Sequence, residues 1–273
     1  MTHLSRRAGF SRRDALTLIA VALTATPALP QQGGDPDAIY DTLLGRYVVV
    51  SKDGVNRVDY ARWHANAADR KALDGYVAEL AARKPSTMKR AEAFAYWGNL
   101  YNAVTLKVVL DRYPVASIRD IKSQGGWFDF KSYTGPWREQ RVTVEGKALS
   151  LDNIEHDIMR PTFKDPRVHY VVNCASYGCP NLMNRSWRAA TLEADLEAAA
   201  RAYVNHPRGV QVMDGGRVRI SSIYRWFRDD FGPDDAALIT HFRKYANAEL
   251  AAKLDKGATV GEDHYDWALN GIK

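Results

Sequence analysis

Apolar and polar residues alternate in several distinct rhythms along this chain. Ala38 to Tyr47 has the 3.6-residue spacing of a helix. "VDYARWHANAADRKALDGYVAELAARKP" predicts a strand or turn, then an Ala-rich helix that ends before Pro85. Ser86 to Tyr113 predicts one long helix, with Phe94, Trp97, Tyr101, Val104 and Val108 on a broad apolar face. Gly98 weakens that helix, and Pro114 ends it. "SQGGWFDFKSYTGPW", rich in Gly and aromatics, reads as a loop. "RVTVEGKALSL" alternates around Glu145-Gly146 and predicts a hairpin.

Ser150 is placed to cap a helix over "LDNIEHDIMR", where Leu151, Ile154 and Ile158 recur at helical spacing. "VHYVV" predicts a short strand running into Asn173-Cys174. Thr191 starts an Ala/Glu-rich helix to about Asn205. "GVQVMDGGRVRI" predicts a second hairpin, around Asp214-Gly215-Gly216. Ser221 or Ser222 caps "IYRWFRDDF", Asp234 begins a helix to about Lys253, and "DHYDWALN" closes the chain. No fixed-period repeat or low-complexity block is present. Helices surrounding hairpins imply the α+β class: one domain, 38–273, of helices packed around short antiparallel strands.

The N-terminus changes this picture. Arg12 and Arg13 precede an apolar stretch, Ala15 to Ala25, and then small residues. That is the layout of a signal peptide, and the paired arginines suggest twin-arginine export. The apolar run is short against the ~20 residues of a spanning helix. The expectation is a signal peptide over 1–28, cleaved near Thr26-Pro27-Ala28, followed by a linker over 29–37. The protein would then be periplasmic or secreted, with no membrane span after removal. Residues 1–28 carry four arginines against Asp14, so their loss takes 3 from the net charge of +6 and leaves +3. Basic residues are scattered among acids, without a basic stripe interleaved with aromatics, so a nucleic-acid partner is not expected. The partner expected is an envelope substrate or ligand, and no cofactor is expected.

The chemistry concentrates in "RVHYVVNCASYGCPNL", which holds both cysteines of the chain, Cys174 and Cys179. With Glu155, His156, His169 and Asn173 nearby, the residue types of a thiol enzyme are present: a nucleophile, a base and a group to orient the base. Cys174 leaves a strand into a polar turn, where a nearby imidazolium lowers a thiol pKa. On a regular strand, His169 lies on the opposite face from Cys174, which favours His156 as partner unless a bulge intervenes at Asn173. Glu155, on an exposed helix face, is ordinarily a solvated charge. The competing reading is a Cys174–Cys179 disulfide, natural outside the cytoplasm. A zinc site from both cysteines and two histidines is the third; the spacing does not match the common zinc pattern, and no metal is assigned. Asn99 and Asn102, three apart in an apolar helix, need buried partners or a cleft to line.

"AFAYWGNLYNAVTLKVVLDRYP", "LSLDNIEHDIMR", "DPRVHYVVNCASYGCPNL" and "YDWALN", in this order, resemble the family catalogued as domain of unknown function 547. The resemblance runs from about Phe94 to Asn270. It implies an exported bacterial protein and matches the family pattern at Asn99, Asn102, Glu155, His156, His169, Cys174 and Cys179, without itself assigning an activity. A more distant similarity is to papain-like or transglutaminase-like thiol hydrolases. There a Cys at a helix start faces a His on a sheet, whereas the long helix here starts without one. The leading expectation is a cysteine-dependent hydrolase or acyltransferase acting on an envelope amide or ester. In it Cys174 attacks, His156 or His169 acts as base and then acid, and Glu155 or an Asn orients the imidazole. The competing expectation is a non-catalytic envelope module whose disulfide shapes an aromatic-rich ligand cleft.

Overall fold

The computed structural model describes residue 35 and residues 37–122 and 135–272. The signal-peptide expectation lies outside these residues, as does most of the "SQGGWFDFKSYTGPW" loop. The described residues fall in one compact unit, Asp35–Lys273. Two residues of the expected linker are tied to it. Asp35 pairs with Arg188, and Asp37 accepts a hydrogen bond from the Tyr76 hydroxyl at 2.8 Å.

α1 (Ala38–Tyr47) buries Tyr40, Leu43, Leu44 and Tyr47, one stripe at helical spacing. The two-residue strands β1 (Val48–Val49) and β2 (Arg57–Val58) pair antiparallel. α2 (Tyr60–Ala65) and α3 (Ala67–Ala82) follow, with Asp59 and Asn66 capping their first turns through side-chain oxygens. α4 (Arg90–Leu110) is the centre of the main core. The sequence predicts one apolar face, but the helix is buried on all sides from Phe94 to Leu106. Gly98 has a packing reason: a Cβ there would lie 2.5 Å from Val171 Cγ1. The residue that weakens the helix also lets the next layer approach it.

β3 (Val142–Val144) and β4 (Lys147–Leu149) form the expected hairpin. Glu145 and Gly146 both take positive φ at its turn, as a two-residue hairpin of this type requires. The next helix is not regular. Asn153–Met159 is a π-helix that runs directly into α5 (Arg160–Phe163). Ser150 does serve its start, since its hydroxyl accepts from the Asn153 N–H at 3.1 Å.

The expected strand "VHYVV" is instead a single helical turn, α6 (Val168–Val171). Asp165 accepts hydrogen bonds from the Arg167 and Val168 N–H groups and starts the turn. All four α6 residues are buried. A short apolar run enclosed on every side carries no period that separates strand from helix.

α7 (Leu192–Val204) packs behind α6. β5 (Val210–Val212) and β6 (Arg217–Ser221) form the second expected hairpin. A further strand, β7 (Thr259–His264), pairs parallel with β6, giving the order β5-β6-β7. α8 (Ile223–Trp226), α9 (Arg228–Phe231), α10 (Asp235–Tyr245) and α11 (Ala248–Leu254) complete the unit. The helix predicted from Asp234 to Lys253 is thus two helices, because the chain is extended at Ala246-Asn247 and Asn247 caps the second. The class is α+β, with helices enclosing short and mostly antiparallel strands. Among the described residues no helix is long and apolar enough to cross a membrane.

Candidate functional site

The Cys174 loop is built from the main chain outward. As the chain leaves α6 it becomes extended at Val172. The carbonyl of Val171 and the N–H of Asn173 are then without partners in a helix or sheet. One side chain satisfies both. Asn102 Nδ2 donates to Val171 O at 2.9 Å, and Asn102 Oδ1 accepts from Asn173 N at 2.8 Å. Asn173 braces the loop from inside, donating to Pro180 O at 2.6 Å and accepting from Ala175 N at 2.9 Å. The C-terminal segment closes it. Gly178 N donates to Asp266 O, and Asn270 N to Ala175 O. A Cβ at Gly178 would come within 2.9 Å of the Asp266 N, so this approach requires glycine.

Asn99 does a different task. It brackets Trp187, donating to its carbonyl at 3.0 Å and accepting from its N–H at 2.8 Å. It lines a separate cavity beside Arg83 and Glu92. The structure therefore brings Asn102 and Asn173 to the site and leaves Asn99 apart.

Cys174 and Cys179 are joined by a disulfide. Cys174 is partly exposed, whereas Cys179 is only 3% exposed. The Tyr265 hydroxyl lies 3.0 Å from both sulfurs and 3.0 Å from Ser176 Oγ. Burial pushes the Tyr265 phenol well above its ordinary pKa, so it stays a neutral donor. The Cys174 N–H also donates to Cys179 Sγ at 3.0 Å.

Both cysteines line a cavity of about 290 Å³ together with Glu155, His156 and His169. The opposition expected between His169 and Cys174 rests on a regular strand. α6 removes that premise, and both residues reach the same cleft. Glu155 is not on an exposed face: it is 7% exposed. It sits in the π-helix, a rare form often found at functional sites.

His169 is sandwiched by two carboxylates. Its Nδ1 lies 3.5 Å from Glu155 Oε1 and its Nε2 2.6 Å from Asp230 Oδ2. Its ring stacks on Phe227 at 4.3 Å. Arg160 Nε meets the same Asp230 oxygen at 2.5 Å. Burial pushes the His169 pKa down, but the hydrogen bond to Asp230 and the carboxylate of Glu155 outweigh it and hold it above its ordinary value. Burial likewise pushes Glu155 up, and His169, His156 and Tyr101 together hold it below the usual carboxylate range. Asp230 is also held low, its burial outweighed by His169 and Arg160. With a carboxylate oxygen facing each ring nitrogen, neither nitrogen is turned to a ligand, which disfavours His169 as a general base. His156, one-third exposed, has its Nε2 4.0 Å from Asp152 Oδ1.

The rest of the cleft wall is aromatic. Trp226 and Trp267 stack at 5.6 Å, and Tyr265 contacts both. Trp137 meets Trp267 edge-on, and Trp226 remains 48% exposed. Asp230, Tyr265, Ser176 and the Trp226–Trp267 pair are site residues that the sequence reading does not single out. Among the described residues, no group of three or more His, Cys, Asp or Glu is arranged to hold a metal ion.

Fold and cleft together define an α+β domain with an acid–histidine–acid cluster and a disulfide on the wall of one aromatic pocket. A family model described as "Protein of unknown function, DUF547" matches residues 85–204, the segment that runs from before α4 to the end of α7. No curated protein matches the chain, and no solved structure does. The similarity to thiol hydrolases therefore gains nothing from comparison.

Proposed function

We propose that this is a ligand-binding domain of the cell envelope, whose cleft takes a ring-bearing group between Trp226, Trp267 and Phe227. The ligand's polar groups then face Asp152 and Glu155. One observation carries this reading. The bond to Cys179 consumes the Cys174 thiol while both His169 nitrogens are engaged, so what the cleft offers a ligand is aromatic surface edged by carboxylates. Aromatic side chains supply large contact area at low entropic cost. Titration calorimetry against soluble envelope fragments, both oligosaccharides and stem peptides, tests it. Trp226→Ala or Trp267→Ala is expected to weaken binding about tenfold or more, the loss of one ~1.5 kcal/mol aromatic contact. Binding by none of these fragments, or equal binding by the tryptophan variants, ends the reading.

A disulfide supports an oxidising compartment, and the sequence layout of residues 1–28 supports export. Converting Arg12 and Arg13 to Lys is expected to leave precursor in the cytoplasm. Unchanged processing removes the twin-arginine route.

A second reading is favoured by one feature: Cys174, Glu155 and His156 share the cleft. In reduced protein Cys174 would serve as the nucleophile of an acyl hydrolase, with His156 the freer base. A thiol-directed activity probe that labels Cys174 only after reduction, and less in His156→Ala, supports it. Labelling unaffected by His156→Ala opposes it.

A further inference from the structure

We infer that Cys174–Cys179 is a reactive disulfide that exchanges with dithiols entering the aromatic cleft, Cys174 being the attacked sulfur and Cys179 the leaving one. This inference rests on the sulfur geometry alone, and holds whichever ligand the cleft takes.

The two sulfurs are unequal. Both line the cleft, but Cys174 is partly exposed there, whereas Cys179 is only 3% exposed. A thiol therefore meets Cys174 first. The surroundings of Cys179 favour its departure. The Cys174 N–H points at its sulfur at 3.0 Å and is the donor particular to it; the Tyr265 hydroxyl lies 3.0 Å from both sulfurs, and the Ser176 hydroxyl 3.6 Å from Cys179 Sγ and 2.9 Å from Cys174 Sγ. Donors aimed at a leaving sulfur stabilise its thiolate, and a better leaving thiolate speeds exchange. A disulfide that serves only as a staple has no use for such donors.

The loop is also built to keep its shape without the bond. Asn102, Asn173 and Asn270 hold the backbone on both sides of Cys174. Gly178 is held against Asp266 one residue before Cys179. Reduction then leaves the two thiols near one another and ready to close again.

The exchange balances. A thiolate of the dithiol attacks Cys174 Sγ, and a new sulfur–sulfur bond forms. The Cys174–Cys179 bond breaks, and its electron pair leaves on Cys179 Sγ. The second thiolate of the dithiol attacks its own sulfur in the mixed disulfide and expels Cys174 as thiolate. The dithiol is oxidised to a disulfide by two electrons. The protein pair is reduced by the same two, and the two protons lost by the dithiol end on Cys174 and Cys179.

The test uses folded full-length protein at neutral pH without denaturant. Glutathione is added, and samples are quenched in acidic denaturant with N-ethylmaleimide. Mass spectrometry is expected to place glutathione on Cys174 and the maleimide on Cys179. In parallel, dithiothreitol is expected to reduce the wild type without unfolding it, and Tyr265→Phe about tenfold more slowly. Glutathione found on Cys179 overturns the inference, as does reduction that occurs only as fast as global unfolding. Both readouts on the wild type stand even if Tyr265→Phe fails to fold.

Discussion

Replacing His169 with leucine is expected to cost about 3–5 kcal/mol of stability, because it removes the group held between two carboxylates and leaves the buried Glu155 without its hydrogen-bonded imidazole. Asp230 keeps Arg160, and Glu155 keeps the Tyr101 hydroxyl and the neighbouring His156. Urea denaturation gives the number from the midpoint, provided the slope is unchanged. A loss below ~1 kcal/mol means the cluster is solvated and the cleft open to its base. The pH dependence has a defined sign. The His169 pKa is held above its ordinary value. Its contribution is fully present below the unfolded value, about 6.5, and is lost as pH rises through the folded one. Glu155 and Asp230 are held below theirs, so their contributions are present above about pH 4.5 and are lost as pH falls. All three coincide between about pH 5 and 6.5. Wild type minus His169→Gln should therefore be largest in that window and shrink above it. A difference that grows from pH 6.5 to 9 contradicts the cluster.

The elements legible in the sequence are those whose signals are local. Gly146, and Gly215 with Gly216, mark the two hairpins because the positive φ values of their turns favour glycine. α1 shows its core stripe directly, and Pro114 marks the end of α4. β7 was not legible. "TVGEDH" has few apolar residues, and its strand exists because its backbone pairs in parallel with β6, a contact across many residues of chain. α6 reads as a strand in the sequence because a buried apolar run shows no period.

The site was legible in its residue types more than in its geometry. Glu155 could have been placed correctly. With Leu151, Ile154 and Ile158 it completes the spacing i, i+3, i+4, i+7, so it occupies a core-facing slot that only a partnered charge tolerates. Its partner's second acid, Asp230, had no such mark. In "WFRDDF", one aspartate among charges reads as solvated. Tyr265 reaches the sulfurs from β7's far end, and no spacing in the sequence announces a contact between residues 174 and 265.

Asn102→Leu is expected to cost about 2–6 kcal/mol, since it strips partners from two buried backbone groups at ~1–3 kcal/mol each. Those groups, Val171 O and Asn173 N, flank the turn from α6 into the Cys174 loop. Leucine has similar volume, so little of the loss comes from packing. Asn99→Leu is the matched control. It sits three residues away on α4, is equally buried at 2%, and likewise strips one N–H and one carbonyl, both of Trp187. The two variants should lose similar stability in urea and differ at the sulfurs. Asn102→Leu frees the backbone beside Cys174 and should change the rate at which dithiothreitol reduces the folded protein several-fold. Asn99→Leu should leave that rate at the wild-type value. Stability of Asn102→Leu within ~0.5 kcal/mol of wild type, the range of an ordinary surface change, would mean the amide does not hold the loop. Equal reduction rates in both variants would mean that the loop's shape is set instead by Asn173 and Asn270 from the other side.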